Sequence, residues 1–328
     1  MADAVAAGPA GADAGFSSDR AHPQARQIGR YKLAVLGPLG LVLAGLLLPV
    51  LFLQLYFSFH AYSPYLGSWW DAEFIGIDLF YEVLVDTRFW LSVARSLYFA
   101  VGSTIGCFLI GFLLAFLIHR PFFGRGMFYI AFIVPMLTVP IVVAYTAEML
   151  LYQNGPINGI ISRLTGTDIN VAWLSNADLA LTSVMILEIW NWTPFSFIIM
   201  LAGLSALPRE PVEAAQILGA SRWRIFVEIQ LPLLRPVIVL ALVLRFLEAM
   251  AEFPKIWSLF QGGPGSATET IPVLIYLTTW NYFDISRGAA MSYITMMLMV
   301  GIVLAAIWLL RRERRAIDHI YASEPSPA

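Results

Sequence analysis

The sequence predicts an all-α polytopic membrane protein with six transmembrane helices and both termini in the cytoplasm. Three observations predict it: an apolar composition, six apolar stretches of spanning length, and arginines gathered in alternate connections. Of the 328 residues, 59% are hydrophobic and 13% charged. A soluble domain carries about 25% charged residues, so this balance belongs to a chain that lives in lipid. The net charge of -2 offers no basic excess for nucleic acid.

A helix needs about 20 apolar residues to cross roughly 30 Å of hydrocarbon. Six stretches meet that length: Leu33–Phe59, Leu91–Ile118, Met127–Tyr152, Leu179–Leu204, Pro236–Phe260 and Gly288–Leu310. They lack the apolar/polar alternation of a barrel strand, so each is expected as a helix. The first is too long for a signal-peptide core and no small-residue cleavage site follows it. Residues 1–30, rich in Ala, Gly, Asp and Ser, are expected as a disordered cytoplasmic extension. Residues 31–90 then form the first span and an acidic external loop, residues 91–312 the working core, and 313–328 a cytoplasmic tail.

Charge placement sets the orientation. Asp71, Glu73, Asp78, Glu82 and Asp86 follow span one. Arg120 and Arg125 lie between spans two and three, Arg209, Arg222, Arg224 and Arg235 between spans four and five, and Arg311, Arg312, Arg314 and Arg315 after span six. Lys and Arg collect on the cytoplasmic side. Trp69, Trp70, Trp90 and Trp173 fall in the external loops, as expected for an interfacial belt. The single cysteine, Cys107, is expected as a small buried hydrophobe.

The connection 205–235 is informative. Pro211 suits a first helical turn, and Glu210 and Glu213 suit the positive end of the helix dipole. Gly219 can end that helix in the left-handed conformation, Ser221 can cap a second one, and Pro232 is expected to end it. The small side chains of Ala214 and Ala215 would let another surface approach closely. An amphipathic helix lying on the membrane is the alternative, suited by Arg222, Trp223 and Arg224.

Glu213-Ala214-Ala215, then Gly219, then Ile229-Gln230-Leu231-Pro232 resembles the signature loop of binding-protein-dependent ABC importer permeases. It also stands where that family has it, before the last two spans. The resemblance implies the type I importer permease fold. It makes Glu213, Ala214, Ala215, Gly219, Ile229, Leu231 and Pro232 a coupling element that docks on a cytoplasmic ATPase subunit. Glu188-Ile189-Trp190-Asn191-Trp192-Thr193-Pro194-Phe195 and Gln261-Gly262-Gly263-Pro264 resemble the carbohydrate-uptake branch, similar to maltose and glycerol-phosphate permeases. Where that branch often has an aromatic-basic-x-Phe-Asp stretch, this chain has Met250-Ala251-Glu252-Phe253-Pro254-Lys255, a departure that bears on solute identity.

Ionisable groups at membrane depth face a cavity, a partner or another charge. Arg245, Glu248, Glu252 and Lys255 recur at a 3-4-3 spacing, which on one straight helix puts all four on one face. They would either line a solute route or form a self-neutralised seam against a partner subunit, with Lys255 reaching the outer interface. Glu188, Trp190, Asn191 and Trp192 fall near mid-membrane. There they would either stack on and hydrogen-bond a sugar or pack helices together. Gly262, Gly263 and Pro264 make an external turn. In the family that turn lies near the docked binding protein, and a plain turn between spans is the alternative.

The sequence holds no nucleotide-binding loop and no catalytic constellation. The expected function is therefore that of a permease subunit, not an enzyme, in the inner membrane of a bacterium, carrying no cofactor itself. ATP and magnesium would sit on partner subunits. The expected partners are a second permease subunit, a pair of ATPase subunits, a periplasmic solute-binding protein, a sugar-like solute and the lipid bilayer, with no nucleic acid. Rival readings are a permease for a non-carbohydrate solute and a stand-alone ion-coupled transporter. The latter usually shows internal repeats, which this sequence lacks.

Overall fold

The computed structural model describes residues 23–65, 67–119 and 122–322, with side chains described from 36 to 308 within those limits. Residues 1–22 of the predicted extension and 323–328 of the predicted tail lie outside the described residues.

In chain order, α1 (Pro23–Phe59) runs into a short antiparallel pair, β1 (His60–Ala61) and β2 (Glu73–Phe74), joined through a 3-10 turn at Trp69–Asp71. Then come α2 (Asp78–Val85), α3 (Thr87–Ile118), α4 (Arg125–Leu137), α5 (Pro140–Leu151), α6 (Pro156–Thr165) and α7 (Ala177–Ser205). The connection after α7 holds α8 (Glu210–Ile217) and α9 (Arg222–Ile225), and a π-helical turn at Phe226–Gln230 leads into α10 (Leu231–Met250). Three elements remain: α11 (Pro254–Phe260), α12 (Ile271–Tyr276), followed by a second π-helical turn at Leu277–Asn281, and α13 (Ile285–Ala322).

Among the described residues, five helical runs are long and apolar enough to span a membrane: Leu36–Phe59, Thr87–Ile118, Ala177–Ser205, Arg222–Phe260 and Ile285–Trp308. The predicted third span, Met127–Tyr152, is not one helix. It is α4 and α5, bent by 92° relative to each other. The reason is local. Thr138 and Val139 are extended, because a residue before proline is pushed out of the helical region and Pro140 follows. The predicted fifth span, Pro236–Phe260, is also broken: α10 ends at Met250 and α11 starts at Pro254, whose missing N–H suits a first turn.

The chain divides into two compact units, residues 1–54 and 55–328. The predicted division at residue 90 therefore falls inside the second unit. Within it, Ser286 Oγ donates to the carbonyl of His60 (2.6 Å) and accepts from the Tyr62 amide (2.8 Å). These bonds tie the acidic loop to the start of α13.

The core of the second unit is the packing of α3 on α7. Asp86 caps α3 by accepting from the Arg88 amide, and Asn176 caps α7 by accepting from the Asp178 amide. On α3 the buried positions Ser92, Ser96, Ala100, Ser103, Cys107, Gly111 and Ala115 recur every three or four residues. Such a stripe of small residues lets helix backbones approach closely in lipid. Cys107 lies in it, fully buried, with Sγ 3.7 Å from the Ile189 carbonyl.

At Gly111 the α7 backbone itself comes close. A Cβ there would lie 2.8 Å from the Phe197 backbone nitrogen and 2.8 Å from Ser196 Cβ. Backbone cannot swing aside, so Gly111→Val is expected to destabilise the protein by about 1–3 kcal/mol through overpacking. A thermal melt of the detergent-solubilised protein that matched wild type would contradict this contact.

Candidate functional site

Two sites emerge, one on the connection between α7 and α10 and one at the depth of the spans. The connection is built as the sequence predicts up to Ser221. Pro211 is in the first turn of α8, with Glu210 and Glu213 beside it. The helix ends in a two-bond C-terminal cap: the Gly219 amide donates to the Gln216 carbonyl (3.0 Å) and the Ala220 amide to the Ala215 carbonyl (3.0 Å). That motif needs a left-handed residue at its turn, and Gly219 supplies it at φ +79°. Ser221 Oγ then accepts from the Arg224 amide at 3.3 Å and starts α9.

Pro232 does not end the second helix. The chain runs on from α9 through the π-helical turn into α10, with Pro232 in that helix's first turn. The wider turn, in which Leu231 donates to Phe226, accommodates a residue that has no N–H to give. Ile229 and Leu231 are consequently half-buried parts of the base of a span, while Glu213, Ala214 and Gly219 stay exposed and Ala215 is half-buried.

Of the most exposed apolar side chains on this connection, Ile217 and Leu218 were not singled out from the sequence. Ile217 and Leu218 are each 87% exposed, on the bend itself, and Trp223 is 73% exposed. Two aliphatic residues beside the glycine of a polar connection were the available signal. The Arg224–Glu228 pair is exposed on both sides, so it adds little.

At span depth the structure gathers Glu188, Arg245, Glu252 and Lys255 into one buried network. Glu188 of α7 is fully buried and accepts from Arg245 Nη2 of α10 through Oε1. Its Oε2 accepts from Lys255 Nζ of α11 at 2.6 Å, and Lys255 also reaches Glu252 Oε2 at 3.0 Å. The other oxygen of Glu252 accepts from the Lys255 amide at 3.0 Å, which supports the first turn of α11.

This corrects two expectations. The 3-4-3 series does not share one face of one helix, because the break at 251–253 separates Arg245 and Glu248 from Lys255. Nor does Lys255 reach the interface: it is fully buried and neutralised within the chain. Glu248 is the member that faces outward, 40% exposed and 3.6 Å from Arg245 Nη1.

The predicted aromatic cluster also divides. Trp192 stands against the network, its ring centroid 5.2 Å from the Arg245 guanidinium, in cation–π geometry. Among the described residues, buried Arg245 Nε and Trp192 Nε1 have no hydrogen-bond partner. Trp190 points elsewhere and is 54% exposed. Asn191 donates through Nδ2 to the Pro135 carbonyl, which also accepts from the Thr138 amide (3.2 Å) at the end of α4.

At the other end of the molecule from α8, Gly262 is buried, and Gly263 and Pro264 are half-buried. The exposed tip is Gln261, Gly265 and Ser266. The turn is closed by the Gly263 amide donating to Phe260 (2.8 Å) and by Thr268 Oγ1 donating to Gly263 (2.6 Å). The three predicted residues thus shape the turn, and their neighbours present it.

Comparison with known proteins agrees with this architecture. The family described as binding-protein-dependent transport system inner membrane component matches residues 85–318. A probable ABC transporter permease protein of Sinorhizobium fredii is 38% identical over 278 residues, covering 82% of this chain and 87% of the relative. The trehalose/maltose transport system permease protein MalF of Thermococcus litoralis is 32% identical over 284 residues, 83% of this chain and 92% of the relative. In fold, the chain is similar to one from the crystal structure of a bacterial alginate ABC transporter in complex with alginate pentasaccharide-bound periplasmic protein. The TM-score is 0.72 at 23% identity, with 90% of this chain and 98% of that one covered. With its capped, bent connection leading into a spanning helix and a family match over most of its length, the chain belongs to the family of inner membrane components of binding-protein-dependent transport systems.

Proposed function

We propose that the chain is the permease subunit of an ATP-driven importer that moves a sugar or sugar-like solute by alternating access. The observation that carries this reading is the bent α8–α9 unit, rigidly capped at Gly219, which presents Ile217, Leu218 and Glu213 beyond the end of a span. Two exposed aliphatic side chains beside a carboxylate suit a groove on a partner that has an apolar floor and basic edges. Separate ATPase subunits bind ATP and magnesium, a second permease subunit completes the pathway, and an extracytoplasmic binding protein delivers solute near the tip at Gln261–Ser266.

The solute class follows from the trehalose/maltose relative and from chemistry at the network. Glu248 offers an outward carboxylate that can accept hydrogen bonds from hydroxyls. Trp192 supplies a planar face beside it. Asn191 serves the scaffold instead.

The test is uptake into proteoliposomes. The full complex should accumulate a disaccharide only when ATP and binding protein are both supplied, and vesicles holding this chain alone should accumulate none. Accumulation by the chain alone would end the reading. In the complex, Glu248→Ala should raise the half-saturating solute concentration at least about tenfold, the worth of one hydrogen bond to a charged group. An unchanged half-saturation would place Glu248 outside the route.

A further inference from the structure

One turn of backbone at the start of α3 reaches two segments far along the chain. Asp86 and Arg88 are two residues apart and bound to each other, the Arg88 amide donating to Asp86 Oδ1 at 2.8 Å. Asp86 Oδ2 accepts from Arg287 Nη2 of α13 at 2.6 Å. Arg88 donates from Nε and Nη2 to the two oxygens of Glu269 at 2.9 and 2.8 Å. This forked geometry is the strong form of an ion pair. The Arg88 guanidinium also lies 5.8 Å from the Tyr282 ring centroid, over the second π-helical turn's exit.

The two partners of the fork are unequal in exposure. The Arg88 side chain is 42% exposed, whereas that of Glu269 is 6% exposed. Glu269 ends the segment that bears the tip, and its Cγ would lie 3.2 Å from a Cβ on Gly262. It packs beneath the turn. Without Arg88, its carboxylate would be a buried charge with no counterion, a strongly unfavourable state that the chain escapes by lifting the carboxylate into water. The lift would carry the turn with it. Thr268 to Gly263, the Ile271 amide to Ser96 Oγ (2.8 Å) and Arg95 Nη2 to Ser266 Oγ (3.3 Å) also hold the segment, but none of these bonds reaches the Glu269 carboxylate.

We propose that Asp86 and Arg88 form a two-armed staple that positions the tip Gln261–Ser266 for the extracytoplasmic binding protein. Arg88 is a positioning residue here, acting through Glu269 and not by touching the partner. The inference rests on the docking of a binding protein at this end of the molecule, proposed above. Holding the tip in place before docking removes the ordering penalty that a loose loop would pay on binding.

The experiment uses the assembled complex in nanodiscs and reads ATPase rate against binding-protein concentration. Arg88→Ala should raise the half-saturating concentration roughly 5- to 30-fold, the cost of re-ordering one loop residue, with the maximum rate unchanged. Glu269→Gln keeps the shape without the charge and should shift it less. The double variant Arg88→Ala with Glu269→Gln should fall back to the Glu269→Gln value, because no stranded charge remains. A direct contact between Arg88 and the binding protein would show no such recovery. An unshifted Arg88→Ala, or a double variant as impaired as Arg88→Ala, would overturn the staple. Should Arg88→Ala not assemble, Arg88→Lys, which loses the fork but keeps the charge, should show an intermediate shift, and a wild-type value would overturn it equally. Ser266→Trp on the exposed tip separates the two layers. If it leaves half-saturation unchanged, the docking reading fails, whatever Arg88 does. If it raises half-saturation while Arg88→Ala does not, only the staple fails.

Discussion

Gly219→Pro is expected to abolish solute uptake while leaving the chain inserted in the membrane at wild-type abundance. Proline is locked near φ -65°, and the native residue sits at +79°, so the cap at the end of α8 cannot form. The substitution also removes the amide that donates to Gln216. Both losses fall on an exposed connection, outside the α3–α7 core, which is why folding in the membrane should survive. The bend angle that aims Ile217 and Leu218 at the ATPase should not. Glu213→Lys tests the same surface by charge alone, and like-charge juxtaposition with a basic groove should weaken the ATPase contact. Uptake and an immunoblot of the membrane fraction measure both variants. Normal uptake in both would remove the connection from the coupling path.

Glu188→Ala should act in the opposite way, through folding. It leaves the Arg245 guanidinium with only the outward Glu248 at 3.6 Å and the Lys255 ammonium with Glu252 alone, although both cations are 1% exposed at their side chains. Removing one partner of a buried ion pair destabilises by about 3–5 kcal/mol. Glu188 serves two cations, so the loss of folded protein should be severe. Low abundance and a lowered melting temperature in detergent are the expected readouts. Combining Glu188→Ala with Arg245→Met, Glu252→Gln and Lys255→Met should recover much of the abundance without restoring uptake. Deleting the whole network leaves no orphaned charge. It also removes the bolt that joins α7 to both sides of the break at 251–253. Wild-type abundance in Glu188→Ala alone would show that the network is not closed within the chain.

These outcomes separate what local sequence can say from what it cannot. The Gly219 bend was legible because a helix end is a short-range event: a first-turn proline, two carboxylates, a glycine and a capping serine act within about a dozen residues. Pro232 misled for the same reason. Its missing N–H ends an α-helix, but a π-helical turn immediately before it absorbs the defect. The break between α4 and α5 was visible in Pro140, yet the apolar run across it concealed the corner. Asn191 was noticed as a polar residue in a span, expected either to bind solute or to pack helices. The Pro135 carbonyl that it reaches lies at the end of α4 and comes within its range only once that corner has formed.

By itself the sequence determined that the chain spans a membrane through helices and where the bent connection lies. Hydrophobic length and cap chemistry are properties of neighbouring residues. Only the tertiary structure decided which charges meet. Glu188 finds Arg245 and Lys255 across 57 and 67 residues, and Arg88 and Asp86 find Glu269 and Arg287 across 181 and 201. An ion's partner in a low-dielectric interior is set by where the folded helices bring it, because the burial that makes pairing obligatory does not exist until they pack.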